Sequence, residues 1–464
     1  MINKEQIVGA IDIGTTKIVT IIGKKNENGR LDVLAMAKTE SKGVKRGVVQ
    51  NIEETVAAIN KTVAEAEQKA GVKITEVFVG IAGQHIRSIK NRGYINRNSY
   101  DDEITKEDIK ALENDMRRIP IDIGEEIIHV IPQSYIVDNE PGVKNPVGMS
   151  GKRVEANFHI VIAQIASAKN IEKCVQRVGL KVKSLMLEPL ASAEAVLTDD
   201  EKEAGVVLVD IGGGTTDIAV YYDDIIRHTA VIPFGGNVIT KDIKEGCSIL
   251  QRQAEQLKTQ FGSALGDLAE QDKVVSIAGI SGRDAKEISF KSLAYIIQSR
   301  MEEIFDAVTF EIENSGYAEK LSAGIVLTGG GALLKHLPQL VKFKTGMDVR
   351  VGFPSEQLSA GISSEINQPM YSTAIGLILK GFEFMDDRNE VSVTRPLFQE
   401  MKAEPIIDKN EEFEEEAQEV LAEAKPVERT AATKTISNNN GKPSFLDSMR
   451  KTFGELFEEN DSKM

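Results

Sequence analysis

Two apolar runs, each broken at the same point, dominate the pattern of hydrophobic and polar positions. Residues 7–23 read IVGAIDIGTTKIVTIIG and residues 206–222 read VVLVDIGGGTTDIAVYY. In both, β-type residues lead into an aspartate, a turn of glycine and threonine, and a second apolar run, which predicts strand, tight turn, strand. A third run, IVLTGGGALL over 325–334, predicts a strand whose three glycines open a helix. Between these landmarks, Ile52, Val56, Ile59, Val63 and Ala66 recur at helical spacing over 51–69, Gly71 stops that helix, and ITEVFVGIAG reads as a strand.

From 84 to about 164 the character changes. A helix is expected within 101–119, with Ile109, Leu112 and Met116 on one face, and EEIIHVIPQSYIVD and RVEANFHIVIA read as strands. This is the pattern of a small inserted subdomain, and His129 and His159, inside its strand runs, read as structural. A helix over 168–178 and the segment SLMLEPLASAEAVL return to the first unit, with Glu188 before Pro189 at a strand-to-helix junction where a carboxylate can face a cleft. A helix over 249–261 puts Glu255 and Lys258 on one face, where the plain alternative is a surface ion pair. Paired short strands over 274–283, a long helix over 291–314 and a small-residue helix over 369–379, suited to close packing between lobes, complete the pattern.

The chemistry concentrates in the turns. Gly212, Gly213 and Gly214 allow a sharp bend and present bare N–H groups to an anion, Thr215 and Thr216 add hydroxyl donors, and Asp210 is suited to a divalent cation held through water. The expected occupant is a metal-bound nucleotide phosphate, against the alternative of a ligand-free hairpin turn. The earlier copy, with Asp12, Gly14, Thr15 and Thr16, turns one glycine loop into a pair of jaws on two like-folded lobes. Gly329, Gly330 and Gly331 offer backbone donors to an anion or a polar ring edge. None of the three turns has Walker A or G-x-G-x-x-G spacing, which sets aside P-loop and Rossmann folds.

Composition narrows the classes further. A chain of 464 residues implies two to four units, and 71 acidic against 56 basic residues, a net charge of −15, argues against nucleic acid as the main partner. Two cysteines, Cys174 and Cys247, provide neither a disulfide framework nor a cysteine zinc site and fit a reducing compartment. The N-terminus lacks a signal-peptide layout, since Asp12 and Lys17 break its apolar run, and no window reaches the roughly 18 apolar residues of a spanning helix. The expected location is cytoplasmic, with peripheral membrane contact open.

Beyond about Glu390 the chain turns acidic and loses apolar periodicity, as a disordered linker does; about fifty such residues span roughly 40 Å. It leads to PSFLDSMRKTFGELFEEN, where Phe445, Leu446, Met449, Phe453, Leu456 and Phe457 share one helical face and Ser444 is the N-cap. Such a detached amphipathic helix reads as an interfacial membrane anchor; the alternative is docking onto the protein's own body or a partner groove.

As a set, AIDIGTTK, LVDIGGGTTD and VLTGGGALL resemble, in order and separation, the two phosphate motifs and the adenosine motif of the actin/Hsp70/sugar-kinase superfamily. The insert segments HVIPQSYIVD and NPVGMSGKRVEANFHIV, the segment AEQLK and the terminal helix are similar to those of its FtsA family, bacterial cell-division proteins that anchor FtsZ filaments to the membrane. The resemblance implies an α/β, two-lobed actin-like ATPase fold with an inserted α+β subdomain. It divides the chain into a first-lobe core over 1–83 and 167–203, an insert over 84–166, a second-lobe core over 204–240 and 306–368, a small subdomain over 241–305, a return helix over 369–388, a linker over 389–442 and a terminal helix over 443–464.

It further implies ATP and Mg2+ between the lobes, with Asp12 and Asp210 orienting the metal and its waters. Thr15, Thr16 and Gly212 to Thr216 would meet the phosphates, with Lys17 beside the first turn at a spacing unlike that of actin's phosphate lysine. Glu255, Lys258 and Gly329 to Gly331 would meet the adenosine, and Glu188 would position a water for at most slow hydrolysis. Implied partners are FtsZ through 241–305, where Lys291 and Arg300 could meet an acidic peptide, further division proteins through the insert, the lipid surface and other copies of the chain. Competing classes are a pilus-assembly adaptor of the PilM type, which would not be expected to end in a detached helix, and a metabolite kinase, for which no second acidic motif supplies a catalytic base.

Overall fold

A computed structural model describes residues 7–99, 102–279, 284–359 and 364–389. β1 (Ile7–Ile13), β2 (Lys17–Lys25) and β3 (Leu31–Glu40) form an antiparallel meander, and the short hairpin β4 (Val44–Lys45) and β5 (Val48–Val49) leads to α1 (Ile52–Ala70) and β6 (Glu76–Ile81). The insert follows as β7 (Ile86–Asn96), α2 (Lys106–Met116), β8 (Glu125–Val137), β9 (Glu140–Val143) and β10 (Arg153–Gln164). The first lobe resumes with α3 (Ile165–Arg177), β11 (Lys181–Leu187) and α4 (Glu188–Val196), and α5 (Asp199–Ala204) crosses to the second. There β12 (Val206–Ile211), β13 (Thr216–Tyr222) and β14 (Ile225–Ile232) precede α6 (Gly236–Cys247), α7 (Gln251–Phe261), β15 (Val274–Ile277), β16 (Lys286–Ser289) and α8 (Phe290–Ser315). β17 (Gly324–Thr328), α9 (Leu337–Thr345), β18 (Val349–Val351) and α10 (Ser372–Asn389) complete the described chain.

The two main sheets repeat one topology. Their orders are β11-β6-β1-β2-β3 and β14-β13-β12-β17-β18, each an antiparallel meander extended by two parallel strands. β1 and β12 occupy equivalent central positions and are buried on both faces, which explains their unbroken apolar runs. Each ends in its aspartate, so the repeat brings Asp12 and Asp210 to corresponding strand ends.

Between the sheets lie α4 and α10, whose Ala191, Ala193, Ala195, Ile375 and Phe382 share one core with Val8 and Ile21 of the first sheet and Leu208 and Val326 of the second. The helices approach so closely that a Cβ on Gly376 would stand 1.7 Å from the Ala191 carbonyl oxygen, so only glycine fits there. α1 and α3 cover the outer face of the first sheet. Asn51 caps α1 by accepting from the Glu54 N–H, and Gly71 ends it in the left-handed region at φ 68.

The insert folds its own antiparallel sheet, ordered β7-β10-β8-β9, against α2. Bare Gly93 on β7 makes room for Met116, which an added Cβ would meet at 2.7 Å. A buried polar seam joins this sheet to the edge strand β14. Gln133 Nε2 donates to the carbonyls of Ile226 (2.9 Å) and Arg227 (3.1 Å), and Arg227 Nη1 donates back to the Gln133 carbonyl at 3.2 Å. His159 Nε2 and Thr229 Oγ1 are 2.8 Å apart, and Ser88 donates to the Thr229 carbonyl at 3.1 Å.

Three expectations need correction. The third glycine run does not open an α-helix: Gly330–Leu333 is a 3-10 turn, and α9 begins only at Leu337. Gly329 has φ 81, and a Cβ there would meet Asp210 Oδ1 at 2.3 Å, so contact with the neighbouring strand end imposes a turn rather than a helix start. The short hairpin expected within 274–283 has its second strand later, at Lys286–Ser289. Arg300 is engaged by Asp242 in two hydrogen bonds, at 2.6 and 3.1 Å, and by Glu303, leaving no open fork for an acidic peptide. The terminal helix expected over 443–464, with Phe445, Leu446, Met449, Phe453, Leu456 and Phe457, lies outside the described residues, as does all but the first residue of the linker expected over 389–442.

Candidate functional site

The two strand ends and their turns face one another. A Cβ on Gly213 would stand 2.7 Å from the Thr16 hydroxyl oxygen, and one on Gly214 would stand 2.5 Å from that of Thr15. Glycine is thus required on one jaw by hydroxyls on the other. The second turn is held from behind: Gly212 N–H donates to the Thr215 carbonyl (2.9 Å), Thr216 Oγ1 donates to the Phe234 carbonyl (2.9 Å), and the N–H groups of Gly236 and Asn237, opening α6, donate to the carbonyls of Gly212 and Gly213.

Around the jaws lie three buried carboxylates, Asp12, Asp210 and Asp217, and the half-buried Glu188, with one lysine among them. Burial raises Asp12 to about 6, with Lys17 opposing and Asp210 adding to the rise. Burial likewise raises Asp217 to about 8, with Asp210 and Asp12 contributing and a hydrogen bond from Thr215 opposing. Glu188, the first residue of α4, is pushed well above the ordinary carboxylate range by burial and by Asp12, Asp217 and Asp210. Its side chain lies against Gly80, where a Cβ would meet Glu188 Cγ at 2.9 Å. Asp210 is also raised by burial, but it accepts from Ser192 of α4 at 2.6 Å and Thr373 of α10 at 3.3 Å, and both bonds favour its ionised form. The carboxylate oxygen Asp217 Oδ1 is buried without a hydrogen-bond partner.

Such surplus negative charge, confined beside glycine N–H groups and threonine hydroxyls, is what a divalent cation carrying phosphates would neutralise. No cluster of three or more His, Cys, Asp or Glu side chains at metal-holding distance occurs among the described residues.

The remaining expected residues sit close by. Lys258 donates to Glu255 Oε2 (2.8 Å), Thr240 Oγ1 (2.8 Å) and the Gly236 carbonyl (2.9 Å), and Thr240 also bonds Glu255. This ties α7 to the start of α6, which itself bonds the second turn. Gly329 and Gly331 pack against Asp210 and Ile211, while Gly330 is open except for Met370 at 4.0 Å. Sequence reasoning did not single out Asp217, Ser192 or Thr373. Asp217 closes the GGGTTD run and was visible there; the other two become meaningful only when α4 and α10 meet at Asp210.

A cavity of about 870 Å3 lies away from these turns, lined by residues of the insert and both lobes including Arg117, His129, Leu187, Leu190, Ile226 and Phe384. His129 accepts there from the Leu187 N–H at 3.1 Å, and burial lowers it to about 4. Unlike the jaws, this cavity brings together no cluster of glycine turns and acidic side chains.

A family model described as cell division protein FtsA matches residues 207–376, and one described as an SHS2 domain inserted in FTSA matches residues 83–162. The chain is 40% identical over 390 residues to the cell division protein FtsA of Pseudomonas aeruginosa, covering 84% of this chain and 92% of that protein. It is 35% identical over 385 residues to that of Escherichia coli strain K12, covering 82% and 91%. Among solved structures, a chain of the PilM-PilN type IV pilus biogenesis complex shares the fold at a TM-score of 0.57 and 16% identity, covering 81% of this chain and 98% of that one.

Proposed function

The chain belongs to the FtsA family of cell-division proteins, with a two-lobed actin-like fold and an SHS2 insert, and from that premise we propose that it binds ATP with Mg2+ between its lobes, self-associates on the cytoplasmic face of the cell membrane and tethers FtsZ filaments there during septum formation. The observation that carries the nucleotide half is the pair of facing turns, Asp12 to Thr16 and Asp210 to Thr216, closed on each other over buried carboxylates.

Thr15, Thr16 and the amides of Gly213 and Gly214 would bind phosphate oxygens, the Gly212 amide being spent on the Thr215 carbonyl, and Asp12 and Asp210 would orient the magnesium through water. Mg2+ neutralises phosphate charge when bound. Glu188, raised above the ordinary carboxylate range by burial and by Asp12, Asp217 and Asp210, would orient water at the cleft, which fits slow hydrolysis at most. Glu255, Lys258 and Gly329 to Gly331 receive the adenosine side.

The membrane half rests on the amphipathic pattern of Phe445, Leu446, Met449, Phe453, Leu456 and Phe457. One short helix with acidic neighbours is a weak anchor, and self-association multiplies it. FtsZ is met through 241–305 and other division proteins through the insert. Co-sedimentation with vesicles of anionic phospholipid tests this, comparing the intact chain with one ending at Asn440, with ATP, with and without FtsZ. The intact chain should carry FtsZ to the pellet and the shortened one should not; equal pelleting of both removes the anchor.

A further inference from the structure

Arg46 occupies a position where its residue type is out of place. The hairpin formed by Val44–Lys45 and Val48–Val49 turns through Arg46 and Gly47, with φ of 51 and 74. A two-residue turn with both residues left-handed prefers asparagine, aspartate or glycine at the first position, so arginine stands there at a local cost. Residues that break a local rule in this way concentrate at functional sites.

Its surroundings indicate which function. The Gly47 N–H donates to Thr15 Oγ1 at 3.2 Å, fixing the hairpin to the first jaw. The Arg46 guanidinium reaches the other lobe and lies over the Phe234 ring, 5.9 Å from its centroid. Phe234 accepts through its carbonyl from Thr216 of the second jaw. Arg46 thus spans the mouth of the cleft, resting on the two elements that brace the phosphate turns. The other nearby cations are committed: Lys17 lies among Asp12, Asp210 and Glu188, and Lys258 is enclosed by Glu255, Thr240 and the Gly236 carbonyl. Arg46 forms no hydrogen bond or ion pair among the described residues, and its contact with an aromatic face is one that a phosphate can displace.

We propose that Arg46 is the residue that distinguishes nucleoside triphosphate from diphosphate, leaving Phe234 to grip the terminal phosphate and thereby clasping the first-lobe hairpin over the second lobe. This rests on the nucleotide reading of the cleft and adds to it a sensor of the third phosphate. A guanidinium suits the role because its planar fork meets two phosphate oxygens at once and stays charged throughout.

The test is equilibrium titration of the full chain with fluorescent ATP and ADP analogues in magnesium, for the wild type, Arg46→Asn and Arg46→Lys. Asparagine suits the left-handed turn, so Arg46→Asn should melt no lower than wild type while losing about ten-fold in affinity for the ATP analogue and less than two-fold for the ADP analogue. Arg46→Lys, which keeps the charge but not the fork, should recover only part of the ATP affinity. If Arg46→Asn, melting normally, weakens both nucleotides equally or neither, Arg46 is not the sensor, although the cleft remains a nucleotide site. If the wild type binds neither analogue, the nucleotide reading fails and the sensor fails with it.

Discussion

Around the jaws the chain buries Asp12, Asp210 and Asp217 beside the half-buried Glu188, with Lys17 as their cation, whereas along β14 it buries Gln133, His159, Arg227 and Thr229 amid hydrogen bonds across the joint. Both regions are interior and polar. Among the fully buried side-chain atoms of these seam residues only His159 Nδ1 lacks a bond, and it sits on a neutral ring; in the cleft the fully buried atom without one is Asp217 Oδ1, on a carboxyl pushed to about 8. A joint meant to stay shut satisfies its own polar groups. A site meant to receive something leaves charge for the ligand to satisfy.

The largest test of this contrast is Arg227→Ala. Arg227 is 8% exposed, donates to the carbonyls of Tyr222 and Gln133, and stacks on Tyr317 at 5.3 Å, so its loss strands buried acceptors and should cost about 3 kcal/mol in urea denaturation. A cost near zero would mean that the seam does not bear load.

The histidines should come next. Burial lowers His159 to about 4 from an ordinary 6.5. As pH falls below 6.5 the unfolded chain takes up the proton and the folded chain does not, so stability present above 6.5 is progressively lost down to about 4. His159→Gln should flatten this decline by about 2 kcal/mol between pH 7 and pH 4, read from denaturation midpoints. An unchanged slope would show that His159 does not remain neutral in the fold.

Asp217→Asn should act in the opposite sense. Removing a buried charge with one unpartnered oxygen from the cleft should stabilise the nucleotide-free protein by about 1 kcal/mol at pH 8.5 while weakening magnesium-dependent ATP binding. If it destabilises instead, the cleft is built like the seam and the contrast fails. The smallest effect belongs to a surface pair used as a control: Arg177 and Glu53 join α3 to α1 at 2.6 Å in the open, and Arg177→Ala should leave the denaturation midpoint within error.

Much of the cleft is legible in the chain because strand, aspartate and glycine turn are local in sequence. The repeated Asp-x-Gly units at 12 and 210 and the helix bounded by Asn51 and Gly71 depend on neighbours only a few positions away. The third glycine run is misread for the opposite reason. Its glycines permit either a helix start or a turn, and the choice is made by Asp210 and Ile211, more than a hundred positions earlier. The seam is not legible at all, since Gln133 finds Ile226 and Arg227 at separations of 93 and 94 residues. Lys17 lies between these cases: its place after the first turn is plain, but its position amid Asp12, Asp210 and Glu188 emerges only when two lobes close.

The contact between Gly376 and the Ala191 carbonyl has a mechanical consequence. α4 and α10 cross there with no room for a methyl group, so sliding by one residue in either direction would drive a side chain into backbone. The two helices are therefore pinned at one point instead of meeting along a sliding surface. Asp210 holds both helices, through Ser192 on one and Thr373 on the other. One carboxylate near the end of a single β-strand thus ties both helices together within a turn of the point where they touch.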